Sequence, residues 1–538
     1  MKKARIGTLA AVTVVGIAVA LTGCANSGAA SSSSKSLTIG TTDKITTIDP
    51  AGSYDNGSYA VETQVYPFLM NTKPGSSKAV PDIATSAKFT SAKTYTVKLK
   101  KGLTFANGHK LTSSDVKFSF DRVLKINNAN GPASLLSNLD RTTTNGPLTV
   151  VFHLKSANDQ TFPQVLTSPA GPIVDEQSFS ATKLTPDATI VKKDAFAGQY
   201  KITSYKINSL VSYAPFDGYK GVAGKAANEG VNVKYYADAS NLRLDVQKGN
   251  IDVAYRSLLP TDIESLSKDK NLNVVKGPGG EIRYIVFNFN TQPYGAKTAE
   301  ADSAKALAVR QAAADLIDRN ALATQVYKGT YTPLYSFVPD GLTGATTVLK
   351  SMYGDGKGGP SLDKAKQTLE AAGVTTPVTL KLQYNNDHYG AASSDEYALI
   401  KSQLENGGLF KVDLQSTEYT QYSKDRVNDV YPAYQLGWFP DYSDADNYLT
   451  PFFTANSFLK NHADSSEVQK LIQQEATEPN ATKRTQLIEQ AQEAEAKVLS
   501  TLPFLQGAQV LVANKDVKVP ANTLDASFKF RYGMISKK

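Results

Sequence analysis

The densest group of residues that could do chemistry is an acidic cluster following the only tryptophan of the chain, Trp438. Asp441, Asp444 and Asp446 are spaced closely enough to suggest a calcium loop. Such a loop also needs a glycine at its sixth position and a glutamate at its twelfth. Counted from Asp444, the sixth position is Leu449 and the twelfth is an alanine, so calcium binding is not predicted. A carboxylate pair for glycoside hydrolysis stays open, although no pair stands out.

Motifs of nucleophilic, phosphate-dependent and metal-dependent catalysis are missing from the sequence. The chain has no G-x-S-x-G elbow, no H-E-x-x-H and no P-loop. Its four histidines, His109, His153, His388 and His462, are scattered without metal-ligand spacing, and a lone histidine is more often structural than catalytic. A single cysteine excludes an internal disulfide and a Cys-based zinc site. We therefore expect neither a metal nor a cofactor.

The composition is that of a folded protein and gives no sign of nucleic-acid binding. Of the 538 residues, 41% are apolar and 20% are charged, which excludes a disordered, collagen-like or coiled-coil chain. At roughly 150 residues per domain, this length predicts three or four domain-sized units. The formal net charge is +8, but no basic cluster follows the first five residues, whereas nucleic-acid binding proteins present a basic face.

The first 36 residues predict export and a lipid anchor. Three basic residues precede an uncharged, largely apolar run of 16 residues, Ile6–Leu21, and the run leads into Leu21-Thr22-Gly23-Cys24. A transmembrane anchor would need about 20 apolar residues, whereas the observed order is typical of a secretory signal peptide. The cysteine stands where the bacterial lipobox pattern has its lipidated residue. We expect residues 1–23 to be removed, Cys24 to carry lipid, and residues 24–36 to form a flexible tether outside the cytoplasmic membrane.

Strand and helix patterns are mixed along the rest of the chain, which predicts an α/β protein with more than one lobe. An alternating run at Tyr95–Leu99 indicates a half-buried strand, and Thr112 offers a cap to the helix that follows it. The Gly-rich run at Gly277–Gly280 predicts a turn. The other elements we predict are strands at residues 36–41 and 282–289 and helices at residues 303–320 and 481–499.

A series of short segments identifies the family that the chain resembles. They are Ile48-Asp49-Pro50, the block from Val80 through Val123, Gly249–Ala254, Val286–Asn288, Val309–Ala312, Ile317–Arg319, and Gly437-Trp438 with Asp441-Tyr442. In this order and behind a lipobox, they resemble the extracytoplasmic solute-binding proteins, family 5, of peptide/nickel ABC importers. The block from Val80 lacks the tryptophan usual near Ala87, and Ala197–Tyr200 matches the family's G-T-G-P-Y only weakly.

The resemblance implies a two-lobed, periplasmic-binding-protein-like α/β fold of type II, in the three-domain class with an extra domain inserted in lobe I. Lobe I is then expected to comprise residues 37–75, 196–283 and 507–538, the inserted domain residues 76–195, and lobe II residues 284–506. The resemblance also implies that the protein is not an enzyme. A monomer would capture its solute outside the cell and hand it to the permease and ATPase subunits of an ABC importer.

The resemblance further implies which residues of lobe II hold the ligand. In peptide-binding relatives, an aspartate three residues after the Gly-Trp pair meets the α-ammonium of the peptide, and Asp441 has this spacing after Trp438. A buried carboxylate needs a cationic partner, which agrees with that role. The backbone at Gly437 and Phe439 is expected to pair with an extended peptide like an added strand. Trp438 would pack on the ligand or shape a side-chain pocket.

Ser53, Tyr54 and Asp55, which follow Asp49-Pro50, are expected to face the same cleft from the other lobe. The sequence leaves several alternatives to peptide binding open. Within the class, the solute could be an oligosaccharide, against which the single tryptophan counts, or chelated nickel. Outside it, the chain could be a tethered hydrolase, or it could import signalling peptides instead of nutrients.

Overall fold

The computed structural model describes residues 36–538 except residues 257, 386, 391, 456 and 528. The predicted signal peptide, the lipobox with Cys24 and all but the last residue of the predicted tether lie outside these residues. The described strands are β1 (Leu37–Thr41), β2 (Met70–Thr72), β3 (Ala79–Pro81), β4 (Ala84–Ser91), β5 (Thr94–Leu99), β6 (Leu139–Thr144), β7 (Thr149–Leu154), β8 (Tyr200–Lys206), β9 (Leu210–Pro215), β10 (Val231–Tyr235), β11 (Val253–Tyr255), β12 (Leu272–Phe287), β13 (Tyr331–Pro333), β14 (Val378–Tyr384), β15 (Phe410–Ser416), β16 (Ala433–Trp438), β17 (Thr501–Asn514), β18 (Val517–Lys518) and β19 (Ser536–Lys537).

Helices cover the faces of the sheets that these strands build. The described α-helices are α1 (Asn56–Val65), α2 (Ser113–Ile126), α3 (Phe162–Val165), α4 (Asp187–Lys192), α5 (Ala239–Gln247), α6 (Pro260–Leu266), α7 (Ser303–Leu316), α8 (Arg319–Ala321), α9 (Val348–Met352), α10 (Leu362–Ala371), α11 (Ser393–Glu405), α12 (Tyr419–Arg426), α13 (Thr450–Phe453), α14 (Ser466–Thr477) and α15 (Ala481–Val498). Short 3-10 helices lie at Ala133–Leu136, Ala445–Tyr448 and Tyr532–Met534, and a π-helical turn lies at Leu322–Val326. Among the described residues, no helix combines the length and the apolar character that crossing a bilayer requires.

Most of the predicted elements are confirmed. The alternating run becomes β5, and Thr112 caps α2 in a capping box with Asp115. The predicted helix at 303–320 ends earlier, at Leu316, because Ile317 is extended and Asp318 caps the separate short helix α8. The C-terminal amphipathic helix is confirmed as α15.

The predicted turn at Gly277–Gly280 is wrong, because this run lies inside the long strand β12. The pairing of β12 with β17 shifts register between Pro278 and Ile282, so the run forms an irregularity within the strand pair. A Cβ atom at Gly279 would lie 2.1 Å from the carbonyl oxygen of Gly507 on β17. Glycine here therefore permits a close approach of two backbones instead of a chain reversal.

The long strands β12 and β17 connect two lobes. The central sheet has eleven strands, in the order β15-β14-β16-β12-β17-β11-β1-β10-β9-β8, with β13 added on β17. The first half of β12 pairs with the end of β17 beside β11, and its second half lies between β16 and the start of β17. One apolar core surrounds β1 and β8–β11, and another surrounds β14–β16. The two cores therefore lie at opposite ends of one continuous sheet.

A third apolar core belongs to a separate four-stranded antiparallel sheet. Its order is β4-β5-β7-β6, and α2 packs on it through Val116, Phe120 and Val123. Edge-to-face contacts between aromatic rings, such as Phe120 with Phe152 at 4.9 Å, fill this core. The domain boundaries given above remain a prediction.

Candidate ligand-binding site

Six of the seven predicted ligand contacts line one cavity of about 440 Å³, which we call the Asp441 cavity. Asp441 lies in its wall together with aromatic side chains from both lobes. None of the described lining residues is a lysine or an arginine. The predicted contacts that line it are Tyr54, Asp55, Gly437, Trp438, Phe439 and Asp441.

The Asp441 carboxylate has only neutral partners among the described residues. The Tyr54 hydroxyl donates to one carboxylate oxygen, and the Asn447 amide donates to the other at 3.1 Å. Burial raises the pKa of Asp441 above its usual range, and these two hydrogen bonds offset only part of that effect. Asp441 is therefore a partly buried carboxyl group for which the described residues supply no cationic partner.

Asn447 holds the segment that carries Asp441. Its side-chain oxygen accepts from the Asp441 backbone N–H at 3.0 Å and from the Trp438 indole N–H at 2.9 Å. Asn447 belongs to the 3-10 helix Ala445–Tyr448, which Asp444 caps by accepting from the Asp446 N–H. One amide side chain thus orients both the carboxylate and the tryptophan ring.

The opposite wall comes from the segment before α1. Asp55 caps α1 by accepting from the Ser58 N–H at 2.8 Å, and it also accepts from the Thr46 hydroxyl at 2.6 Å. Tyr54 reaches across the cleft to Asp441, although its side chain is 41% exposed. The hydrogen bond between Tyr54 and Asp441 therefore joins the segment before α1 to the segment after β16.

Ser53 does not line the cavity. It is 1% exposed, and its hydroxyl donates to the carboxylate of Glu62 on α1. Burial raises the pKa of Glu62 well above its usual range. The position of Ser53 fits a role in holding the Tyr54 segment against α1 better than a contact with a ligand.

Trp438 is half-buried and packs on two phenylalanines while it also faces the cavity. Its ring meets Phe452 edge-to-face at 5.0 Å and Phe458 at 5.8 Å. Both packing and ligand contact are therefore compatible with its position.

The edge of β16 is available beside the cavity. In the described part of the chain, β14 pairs with β16 only at Ala433 and Tyr434, whereas β12 pairs with β16 along the full length of β16. The stretch ending at Gly437 and Trp438 therefore has a strand neighbour on one side only. A Cβ atom at Gly437 would lie 3.1 Å from the ring of Tyr389, which closes over this position.

A second compartment of about 710 Å³, which we call the Arg283 chamber, adjoins the Asp441 cavity. The two share His388, Tyr389 and Phe439 in their walls. Arg256, after β11, and Arg283, on β12, line the chamber. Sequence reasoning missed both arginines, because neither belongs to a motif and only the sheet brings them together.

The segment between β14 and α11 was also missed, although it contains a histidine and a tyrosine next to turn residues. The ring of His388 stacks on Tyr419 with centroids 3.6 Å apart. Burial lowers the pKa of His388, and the Arg283 charge lowers it further. This aromatic pair forms part of the partition between the two compartments.

The polar clusters elsewhere do not assemble catalytic machinery among the described residues. His109 contacts Asp175 at 2.8 Å, but Ser178 donates to the same carboxylate at 2.6 Å instead of bonding to the histidine. No described group of His, Cys, Asp or Glu side chains could hold a metal ion.

Comparison with known protein families decides the class of this site. Residues 78–459 match the family model described as bacterial extracellular solute-binding proteins, family 5 Middle, which spans well over half of the chain. The chain belongs to this family. It is therefore a solute-binding protein and not an enzyme, and the family to which it belongs is extracellular.

Curated relatives of this family 5 protein match along most of their length. The dipeptide-binding protein of Escherichia coli (strain K12) is 24% identical over 466 residues, which are 80% of this chain and 82% of that protein. The dipeptide-binding protein DppE of Bacillus subtilis (strain 168) is 24% identical over 94% of each chain.

Solved structures share the two-lobed type II fold of this family 5 protein. The ABC transporter substrate-binding protein CtaP from Listeria monocytogenes has a TM-score of 0.78 at 21% identity and covers 94% of this chain and 99% of its own. The dipeptide-binding protein from Pseudoalteromonas sp. SM9913, in complex with Met-Leu, has a TM-score of 0.70 at 18% identity and covers 94% and 100%.

Proposed function

We propose that this protein captures short peptides through their free amino terminus and delivers them to an ABC importer. The observation that carries this proposal is the Asp441 carboxylate, which faces a cavity and has only neutral hydrogen-bond partners in the described part of the chain. An α-ammonium group supplies the charge and the donors that this carboxylate lacks, and every unblocked peptide has one. Relatives named for dipeptide and oligopeptide binding support the same ligand class.

The main chain of the ligand pairs with the edge of β16 at Gly437 and Phe439 in this proposal. Backbone hydrogen bonds give affinity without reading side chains, which suits a carrier of many sequences. Pro440 has no N–H to donate, so the pairing ends there. Trp438 and Tyr54 flank the first residue of the ligand, and Asp55 keeps the Tyr54 segment in place.

Around this site we propose the organisation that the sequence predicts. Lipid on Cys24 anchors a monomer to the outer face of the cytoplasmic membrane, and the permease and ATPase subunits receive the peptide. Lobe I comprises residues 37–75, 196–283 and 507–538, and lobe II comprises residues 284–506. Residues 76–195 form the inserted domain.

The test compares a free peptide with its N-acetylated form by titration calorimetry. A mass spectrum of the as-isolated protein first identifies a bound peptide to use. Asp441→Asn keeps the shape of the side chain but removes its charge, so it should weaken binding of the free peptide by about 10- to 100-fold. Binding of the acetylated form should change little.

Asp217→Asn is the matched control, because Asp217 is an exposed aspartate in the turn after β9. It should leave both affinities unchanged. An equal loss for the free and the acetylated peptide in Asp441→Asn would remove Asp441 from the ammonium role. A single sugar or metal chelate in the mass spectrum, in place of peptides, would contradict peptide capture as a whole.

A further inference from the structure

Tyr54 bridges the cleft to Asp441 from a segment that is fixed on both sides of the tyrosine. Its hydroxyl donates to one oxygen of the Asp441 carboxylate. The residue before it, Ser53, donates to Glu62 on α1, and the residue after it, Asp55, caps α1. The backbone of Tyr54 is therefore held against α1, while its side chain lines the Asp441 cavity and is 41% exposed.

The two ends of this hydrogen bond belong to segments that pack on different apolar cores. Val61 and Val65 of α1 lie in the core around β1 and β8–β11. Tyr448, in the 3-10 helix that follows Asp441, lies in the core around β14–β16. The bond between the Tyr54 hydroxyl and Asp441 therefore breaks if the two cores move apart.

The two oxygens of the Asp441 carboxylate are approached from different sides. Asn447, which lies on the same wall as Asp441, donates to one oxygen at 3.1 Å. Tyr54 donates to the other oxygen from the opposite wall, and no other described residue of that wall donates to this carboxylate. Since a hydrogen-bonded pair leaves no space between its two atoms, a ligand that reaches Asp441 from between the walls must first separate the tyrosine from it.

The Tyr54 hydroxyl is a weaker partner for a carboxylate than an ammonium group is. It offers a single neutral donor. Burial and the neighbouring Asp441 charge raise the pKa of Tyr54, so the hydroxyl keeps its proton and remains a donor at neutral pH. An α-ammonium brings three donors and a positive charge, so both partners of the new contact are ionised. The exchange of the hydroxyl for an ammonium is therefore favourable.

We propose that Tyr54 is a latch, whose hydroxyl occupies the Asp441 carboxylate and holds the cleft closed in the peptide-free protein until the α-ammonium of a peptide displaces it. This inference rests on the proposed function, because it names the group that the peptide ammonium replaces. Once displaced, the Tyr54 ring lies beside the first residue of the ligand.

A closed latch lowers the affinity that is measured for every ligand of the cleft. The apparent affinity is the intrinsic affinity multiplied by the fraction of molecules whose cleft can accept a ligand. The strength of the bond between Tyr54 and Asp441 therefore sets how tightly a peptide must bind in order to enter.

The first experiment removes only the hydroxyl of the latch. Tyr54→Phe keeps the aromatic ring, and titration calorimetry compares its affinity for a bound peptide with that of the wild-type protein. We expect the affinity to rise by about tenfold, because a hydrogen bond to a charged group no longer has to be broken. The gain should be the same for the free and the acetylated peptide, since either must open the latch.

The gain should appear in the association rate constant. Trp438, the only tryptophan of the chain, lines the Asp441 cavity, so its fluorescence can follow peptide binding in a stopped-flow experiment. Because the latch is open in the bound state, Tyr54→Phe should raise the association rate constant and leave the dissociation rate constant unchanged. Faster dissociation would show that the hydroxyl contacts the bound peptide, and it would overturn the latch.

The second experiment tests the latch without a ligand. Small-angle X-ray scattering measures the radius of gyration of the protein after bound peptide has been removed by unfolding and refolding. Tyr54→Phe should have a larger radius of gyration than the wild-type protein, and saturating peptide should bring both proteins to the same value. Equal radii of the two peptide-free proteins overturn the inference.

Tyr236→Phe is the matched control, because Tyr236 also donates to an aspartate, Asp245, at 2.6 Å but lines neither compartment. It should leave the affinity, the association rate constant and the radius of gyration unchanged. Unchanged or weaker peptide binding by Tyr54→Phe overturns the inference and leaves peptide capture standing. Failure of the wild-type protein to bind any peptide would instead contradict the proposed function, and the scattering experiment would still test the latch.

Discussion

At the scale of single residues, the proposed function depends on a carboxylate that has no cationic partner among the described residues. Asp441 accepts hydrogen bonds from Tyr54 and Asn447, and burial still raises its pKa. The ionised form is therefore less stable in this site than it is in water, and a ligand ammonium would relieve that penalty. A site that favours binding in this way is less than optimal for the stability of the empty protein.

The raised pKa predicts how peptide affinity depends on pH. The α-amino group of a peptide titrates near pH 8 and stays charged in acid, so only the protein loses its partner charge as the pH falls. Because its pKa is raised, Asp441 becomes protonated at a higher pH than an ordinary aspartate does. Peptide binding should therefore weaken at that higher pH. We expect calorimetric affinity to fall steadily from neutral pH into the acid range, and Asp441→Asn to abolish this dependence.

His388 lines the same cavity, and its imidazole gains a positive charge as the pH falls. His388→Gln separates its contribution, because it removes that charge while Asp441 remains. If affinity no longer depends on pH in His388→Gln but still does in Asp441→Asn, the titrating group is the histidine and not Asp441.

At the scale of elements, the 3-10 helix that carries Asn447 is held by an ionic cluster with α14 and α15. Arg484 on α15 binds Asp444 through both terminal nitrogens, at 2.9 and 2.7 Å, and Glu475 on α14 through Nε at 2.9 Å. Burial raises the pKa of Glu475 and of its neighbour Asp446, and their mutual repulsion adds to the effect for Glu475. The positive charge of Arg484 therefore offsets the negative charge of the acidic side chains that surround it beneath the site.

Arg484→Gln should destabilise the protein and weaken ligand binding together. Removing one partner of a buried ion pair typically costs about 3 to 5 kcal/mol of unfolding free energy, because the other charge stays uncompensated. Displacement of the 3-10 helix would then move Asn447 and the Asp441 carboxylate that it orients. Chemical denaturation and calorimetry measure the two effects.

The neighbouring Lys483→Gln serves as the control, since Lys483 forms an exposed ion pair with Glu478. Exposed pairs contribute at most about 1 kcal/mol, so this variant should behave like the wild type. Full ligand affinity in a destabilised Arg484→Gln protein would show that the cluster supports the fold without positioning the site.

At the scale of the whole molecule, the close packing of β12 and β17 links the lobes to the site. A Cβ atom at Gly280 would lie 2.5 Å from Pro440, next to Asp441, and 2.8 Å from the Tyr448 hydroxyl. That hydroxyl donates to the Gly280 carbonyl at 2.6 Å. The strand that joins the lobes thus packs directly on the segment that carries the candidate acceptor.

Gly280→Ala should therefore lower stability and peptide affinity at once. Overpacking of this kind typically costs about 1 to 3 kcal/mol, and the displaced Pro440 would carry Asp441 with it. Gly279→Ala is the companion variant, because its nearest contact is the Gly507 carbonyl at 2.1 Å, on β17. Gly279→Ala should lower the stability but retain the preference for free over acetylated peptides. Loss of that preference in both variants would argue against a specific role for Pro440.

Much of the local structure was predictable because its causes lie close together in the chain. The capping box at Thr112 and the apolar stripe of α15 are determined by residues within a few turns, and both are confirmed. Gly277–Gly280 shows the limit of such reasoning. A Gly-rich run permits a turn or a close approach of strands, and the partner that selects between them, β17, lies more than 200 residues away.

The sequence by itself determined the family, through ordered segments spread along the chain, and pointed to Asp441 by its spacing after Trp438. Only the tertiary structure decided which of the predicted residues meet, because contact between segments nearly 400 residues apart depends on packing. It joined Tyr54 to Asp441, enclosed Ser53 against Glu62, and placed Arg283 beside the cleft. Residue types reveal what chemistry is available, but burial and distance determine which groups are left without a partner and are therefore able to bind one.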